Sequence, residues 1–322
     1  MHIPDGFLDT KTAISTGVLS ATGLGMALRH VGRHVQPRQI PLIGLTAAFI
    51  FVAQMINFPV AGGTSGHLLG ATLAAVLLGP SAAVIVMSCV LIIQALIFAD
   101  GGLLAMGANV LNMGVVAPVC AYIVYRTARR LLGDRRGQLI SASFAAWCSA
   151  VAASVFCAGE LAFSGTVEWS LALPAMAGVH SLIGIGEAAI TMLVLAAIGR
   201  TRPELLDESG ERKITFERMP ILVYGSILIL GMLVLIVPFA STLPDGLQRV
   251  AQFLGFEYRS QMPQVINTPL KAYGFPGVES LAKASVLAGL VGAVSVFGLS
   301  FLVARILVPR KNAGPMPTSH PS

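Results

Sequence analysis

Apolar stretches long enough to cross a bilayer recur along the whole 322-residue chain, and this constrains the fold more than any other feature. A bilayer core of about 30 Å takes roughly 20 helical residues. Nine runs read as candidate spans: 12–29, 40–56, 67–79, 82–99, 103–125, 138–158, 171–198, 219–240 and 281–307. The third is short and flanked by glycine, which predicts a tilted, broken or partly re-entrant segment. Charged residues make up 11% of the chain, against about 25% in soluble domains. The deficit is spread throughout, so this is not a soluble body on one anchor. The expected fold is an all-α integral membrane protein, a seven-span helical bundle followed by a two-span C-terminal module.

The basic residues sort by side. Of the 21 Lys and Arg residues, 16 fall in alternate loops, around Arg29–Arg38, Arg126–Arg136, Arg200–Arg218 and Arg305–Lys311. The positive-inside rule places these loops in the cytoplasm of a prokaryotic cell, spanning its inner or plasma membrane with the N-terminus outside and the C-terminus inside. The net charge of +6 therefore reads as orientation in membrane lipid, not as nucleic-acid binding. No Lys or Arg precedes Lys11, so the polar opening Met1–Asp9 is expected to be a retained end and not a signal peptide. Cys89, Cys120, Cys148 and Cys157 lie in apolar runs without metal-site spacing and read as buried, inert thiols.

The chain divides into a bundle over 1–200, a charged cytoplasmic linker over 201–218, and a module over 219–322. That module encloses an outer segment with Pro244-Asp245-Gly246-Leu247, then Val250, Ala251 and Leu254 at helical spacing, stopped by Gly255. It predicts one short amphipathic helix.

His2 carries the sharpest chemical signal. A free α-amine, the peptide nitrogen of residue 2 and its imidazole can close fused chelate rings around one ion. One more imidazole completes a plane of four nitrogens, which suits Ni(II) or Cu(II). The topology puts His67 on the same face of the membrane, near Asp100 in depth. On these residues alone the plainer reading stays open, with His2 a solvated terminal residue and His67 a helix cap. The chelate also demands an unextended, unblocked Met1.

The opening Met1–Leu8 resembles that of the CbiM/NikM family, the nickel/cobalt substrate-capture components of energy-coupling-factor transporters. So do Gly63–Leu68, Gln94–Gly102, Gly107–Met113 and His180–Glu187. The resemblance covers nearly all of 1–200. It implies a metal held by the amine of Met1, the amide and imidazole of His2, and His67. It also implies a transmembrane coupling subunit and two cytoplasmic ATPase subunits as partners. The chain contains no Gly-x-x-x-x-Gly-Lys-Ser/Thr phosphate loop, so catalytic residues are expected to be none. The second module resembles the small auxiliary subunit of nickel systems, with Pro244-Asp245-Gly246-Leu247 as its signature. This combination looks like the nickel branch, making Ni(II) the expected transported substrate and Co(II) the alternative.

Several residues are expected to support the site without binding metal: Ser65, Gln94, Asp100, Asn109, His180 and Glu187. Glu187 is ionisable inside a span, a functional candidate by default, and His180 lies two helical turns away. Gln94 and Asn109 are read as outer hydrogen-bonding groups that orient the ligands, and Asp100 as a loop brace. The segment 244–255 is expected to hold the capture loops in a loading-competent state. Ala13, Gly17, Ala21 and Gly25 form a small-residue stripe in the first span, read as packing within the bundle. Two other classes stand as alternatives. An autonomous secondary carrier would show repeats and a line of intramembrane charges, which are not evident. An intramembrane serine protease would use Ser65 in Gly63-Thr64-Ser65-Gly66 with His180 as base.

Overall fold

A computed structural model describes residues 1–206, 218–261 and 265–308. The segment 207–217, most of the expected linker, lies outside the described residues, as do Arg310, Lys311 and His320. The chain is a helical integral membrane protein. Its helices are α1 (Thr10–His34), α2 (Ile40–Met55), α3 (Ala71–Leu78), α4 (Pro80–Ile93), α5 (Met106–Asn109), α6 (Ala117–Leu132), α7 (Arg135–Phe163), α8 (Trp169–Thr201), α9 (Arg218–Leu235), α10 (Gly246–Leu254) and α11 (Leu281–Leu307). A two-stranded antiparallel hairpin, β1 (Phe58–Val60) and β2 (Thr64–Gly66), pairs Pro59 with Ser65.

Among the described residues, seven helical segments are long and apolar enough to span a membrane, five in the first 206 residues and two in the second module. Two expected spans depart from that criterion, for different reasons. The third shrinks to the eight residues of α3, about 12 Å at 1.5 Å per residue. Gly70 in a left-handed conformation (φ 79°) precedes it and Gly79 (φ 85°) ends it. Helix α1 is long enough, but it is polar on the inside. Thr12, Thr16 and Ser20 are buried, whereas Ile14, Val18, Leu19 and Met26 are each more than half exposed. Such a helix turns its apolar side to lipid and lowers its own mean hydropathy.

The small-residue stripe of α1 is corrected by the same observation. The face of α1 that packs into the bundle is Thr12, Thr16, Ser20, Ala27 and Val31. Ala21 is exposed and Gly25 has open space where a Cβ would stand. Only Gly17 makes a close approach, to Gly107 at the start of α5.

Helix α7 packs along α8 and α6, while α11 packs on α2 and α9 also lies against α2. The second module therefore covers the first through α2. Backbone bonds from Leu270 N–H to Ile97 O (2.9 Å) and from Ser241 N–H to Asn57 O (2.8 Å) fasten the outer segment to the bundle. Two π-helical turns, Gln94–Phe98 and Val110–Val116, interrupt the helices beside the N-terminal segment. Turns of this type collect at functional sites.

Candidate metal-capture site

The first nine residues fold inward and dock on four elements. Ile3 is clamped at both backbone groups by Asn109, whose Oδ1 accepts from Ile3 N–H (2.7 Å) and whose Nδ2 donates to Ile3 O (3.0 Å). Gly102 N–H also donates to Ile3 O (2.8 Å). Asp5 accepts from the backbone N–H groups of Leu103 (3.2 Å), Leu104 (2.8 Å) and Ala105 (3.3 Å). A side chain at Gly102 would collide with Asp5. The segment is thereby held as part of the core: Ile3 is fully buried and Phe7 nearly so.

Three expected donors converge at its tip. The α-amine of Met1 lies 3.4 Å from His67 Nε2. The rings of His2 and His67 stack with centroids 5.5 Å apart. His67 is delivered by the hairpin, whose turn uses Gly62 and Gly63 at positive φ (80° and 70°). Beyond His67, the peptide N–H groups of Leu69 and Gly70 both donate to the carboxylate of Glu187 on α8. Glu187 thus anchors the loop between His67 and α3, which gives this intramembrane carboxylate a defined role. Glu187 also borders a cavity of about 30 Å³, large enough for water, together with Met1, His67, His180 and Asp245 among others.

The hydrogen-bond network assigns the tautomer of His67. Gln54 Nε2 donates to Leu69 O (2.8 Å), so Gln54 Oε1 faces Gln94 and accepts from its Nε2 (2.7 Å). Gln94 Oε1 then faces His2 Nε2 at 3.1 Å, while Asp100 Oδ1 faces Nδ1, so each ring nitrogen of His2 has an acceptor beside it. His67 Nδ1 lies 3.1 Å from Leu68 O and donates to it, which leaves Nε2 with the lone pair, facing the amine. Burial holds both rings in the neutral form. The pKa of His2 is lowered, desolvation outweighing the pull of Asp100 Oδ1, which lies 3.3 Å from Nδ1. That of His67 is lowered to about 3, by desolvation first and then by the charges of the N-terminus and His2.

The remaining expected residues fall around this centre. Asp100 accepts from Tyr273 Oη (2.6 Å) as well as facing His2, so it braces the loop against the second module. Ser65 is fully buried, and its Oγ donates to Leu243 O (2.7 Å). His180 Nδ1 bonds its own helix at Met176 O (2.8 Å). Both reach the small cavity, but Ser65 spends its hydroxyl hydrogen on a carbonyl, a poor arrangement for the nucleophile of a protease. His180 and Glu187 share that cavity, each with separate backbone partners.

Asp245 was expected only as part of a helix-opening signature. It does cap α10: Oδ1 accepts from Gln248 N–H (2.7 Å), Gln248 Oε1 accepts from Asp245 N–H (3.1 Å), and Gly255 (φ 78°) ends the helix. Yet its other oxygen, Oδ2, lies 3.0 Å from the Met1 amine. That ion pair, helped by the cap, holds the Asp245 carboxyl well below the usual range despite its burial. Among the described residues, no group of three or more His, Cys, Asp or Glu side chains is gathered as in a conventional metal site.

Comparison with known proteins identifies the family. The family model for CbiM, a cobalt uptake substrate-specific transmembrane region, matches residues 2–205, and the PDGLE domain model matches 219–309. A relative from Archaeoglobus fulgidus, named a putative fused nickel transport protein NikMN, is 34% identical over 95% of this chain and 98% of its own. The fused nickel transport protein NikMN of Rhodobacter capsulatus is 39% identical over 64% of each chain. A crystal structure described as a truncated transition metal transporter superposes with a TM-score of 0.57 at 34% identity, covering 62% of this chain and 99% of that one. These relatives are named as transport proteins, not enzymes. With a match over most of its length and a second domain model on its remainder, the chain belongs to the CbiM family of membrane transport components, fused to a PDGLE domain.

Proposed function

We propose that this chain is the substrate-capturing membrane subunit of an energy-coupling-factor transporter that takes up a divalent transition metal, Ni(II) ahead of Co(II). The observation that carries this reading is the buried α-amine 3.4 Å from the lone-pair nitrogen of His67. In the proposed chelate the amine of Met1, the amide nitrogen and Nδ1 of His2, and Nε2 of His67 surround the ion in a plane. The tautomer of His67 favours it, because its bare Nε2 is the nitrogen the chelate needs, and Gln94 faces Nε2 of His2, the nitrogen the chelate leaves unused. His2 Nδ1 turns from Asp100 towards the ion, while Asn109 keeps the backbone of Ile3 in place. Four nitrogen donors in a plane favour Ni(II), and the nickel named in the relatives agrees. The cobalt in the family description keeps Co(II) as the alternative substrate.

The division into a capture bundle over 1–200, a linker over 201–218 and an auxiliary module over 219–322 belongs to this proposal. So does the placement in a prokaryotic cell membrane, with the capture site outside and the C-terminus in the cytoplasm. Without a phosphate loop in the chain, energy comes from a transmembrane coupling subunit and cytoplasmic ATPases. Calorimetry with Ni(II) and Co(II) on the purified protein tests the core of the reading, beside His2→Ala and a variant with one residue added before Met1. Binding at micromolar Kd or better, lost in both variants, is the expected result. Binding that survives both moves the site elsewhere.

A further inference from the structure

The amine of Met1 has two polar neighbours, and they come from different modules. His67 is a nitrogen donor. Asp245 lies 244 positions away in sequence, with its Oδ2 3.0 Å from the amine. The Met1 side chain is 6% exposed and the Asp245 side chain 16%. We propose that Asp245 is a positioning residue of the capture site: the PDGLE module supplies, through this carboxylate, the counter-charge for the captured metal ion without ligating it. The proposal rests on the N-terminal chelate described above.

The charge balance favours such a group; the other carboxylate nearby, Asp100 beside His2, is 30% exposed and also accepts from Tyr273. A divalent ion bound by a neutral amine, two neutral imidazoles and one deprotonated amide leaves the centre with a single positive charge. A charge buried without a partner is costly. A carboxylate already beside the amine cancels it. The geometry survives metal binding, because a coordinated amine uses only its lone pair for the ion and keeps N–H groups to donate to Asp245. Bonds of this kind to a charged acceptor are strong, and outer carboxylates of this kind orient and strengthen the ligands they touch.

Asp245 is also held too firmly to be an accidental neighbour. Its own helix is capped by Oδ1, so Oδ2 is left to point at the amine. The two residues before it are tied to the hairpin that delivers His67. Leu243 O accepts from Ser65 Oγ (2.7 Å), and Pro244 O accepts from Ser65 N–H (2.8 Å) and Thr64 Oγ1 (3.1 Å). The residue after it, Gly246, lies against the ring of His180, where a Cβ would not fit. The second module thus grips the His67 loop with one pair of residues and the amine with the next.

Asp245→Asn separates charge from cap, because Asn starts a helix as well as Asp does. Asp245→Ser is a second uncharged cap, and Asp245→Glu restores the charge. Each is made in the full chain and titrated with Ni(II) alone by calorimetry, with His2→Ala in parallel and circular dichroism as the check on folding. The expected result is a 10- to 100-fold weaker Kd for both uncharged variants, the range seen when outer-shell partners of a metal site are removed. The Glu variant should recover most of the loss. At saturating metal, Asp245→Asn should keep the visible absorption band of the wild-type Ni(II) complex, because the donors are unchanged. Binding by Asp245→Asn within threefold of wild type overturns the proposal, as does an altered band, which would make Asp245 a ligand. Unfolding of both uncharged variants also overturns it by making the residue purely structural. If His2→Ala abolishes binding and Asp245→Asn does not weaken it, this proposal alone fails. If His2→Ala leaves binding intact, the chelate itself fails.

Discussion

The molecule contains two Pro-Asp-Gly turns that sit within reach of the same N-terminal segment, and they do different work. In Pro4-Asp5-Gly6 the carboxylate is spent on three backbone N–H groups of residues 103–105. In Pro244-Asp245-Gly246 one oxygen serves the local helix and the other reaches the amine of Met1. The first turn fixes where the segment lies; the second touches the group proposed to bind metal. Identical local sequence thus leads to scaffold in one place and to chemistry in the other, and the difference is made by what the tertiary fold leaves within 3 Å.

Acidification gives the largest expected effect, and it should act on neither Asp245 nor the imidazoles. The Asp245 carboxyl is depressed, so its ion pair is present at every pH above the ordinary carboxylate range and is lost only as pH falls through its lowered value. His2 and His67 are lowered bases, so they stay neutral and able to ligate below the usual imidazole pKa of about 6.5. Between pH 8 and pH 6 the chelate still requires the metal to displace the proton of the His2 amide. Affinity for Ni(II) should fall steadily, by roughly tenfold per unit for each proton displaced, without an extra inflection near 6.5. Calorimetric titrations across that window check it, and a sharp break near 6.5 would mean that an imidazole takes up a proton there.

Gly102→Ala should break the scaffold turn. The added Cβ collides with Asp5, and overpacking of this kind costs about 1–3 kcal/mol. Thermal unfolding in detergent should show the loss, accompanied by weaker metal binding, because Asp5, Ile3 and the chelate ride on one segment. Asp5→Ala should cost about 1 kcal/mol or more by leaving three N–H groups, two of them part-buried, without their acceptor. Unlike Asp245→Asn, it should lower stability and binding together. If Asp5→Ala changes affinity while leaving the Tm untouched, the distinction between the two turns fails.

Ser65→Ala should be milder, at about 1 kcal/mol for one hydrogen bond to Leu243. It should reduce affinity for Ni(II) only severalfold; complete loss of transport would reopen a nucleophilic role. The smallest change is expected from Tyr273→Phe. It removes one bond to Asp100 (2.6 Å), a loss of about 0.5–1.5 kcal/mol, with metal affinity within threefold of wild type.

Much of this was legible in the residues. Spans of pure Val, Ile, Leu and Ala announce themselves, and the positions of Arg residues predicted that His2 and His67 share a side. Other features were hidden for identifiable reasons. Helix α1 buries Thr12, Thr16 and Ser20, so hydropathy alone reads its lipid face and a small-residue stripe misreads its packing face. Glu187 was visible as an oddity, but its task of holding the Leu69 and Gly70 N–H groups depends on a contact about 118 positions away. Asp245 was read only as part of the Pro244-Asp245-Gly246-Leu247 signature of the second module; nothing nearby in sequence hints at a partner 244 positions away. In the Gln54–Gln94–His2 relay, Gln94 was legible as a group that orients a ligand, but its support by Gln54, a glutamine in an apolar run, emerges only after the spans have been packed.

The contact between Asp245 and Met1 is made within one polypeptide. A contact between separate subunits would depend on how much of each a cell makes, and would dissolve on dilution. A tether sets a local concentration independent of expression, in the millimolar range for short flexible links. Each bundle therefore carries its own copy of the turn, in fixed one-to-one ratio, however scarce the protein is in its membrane.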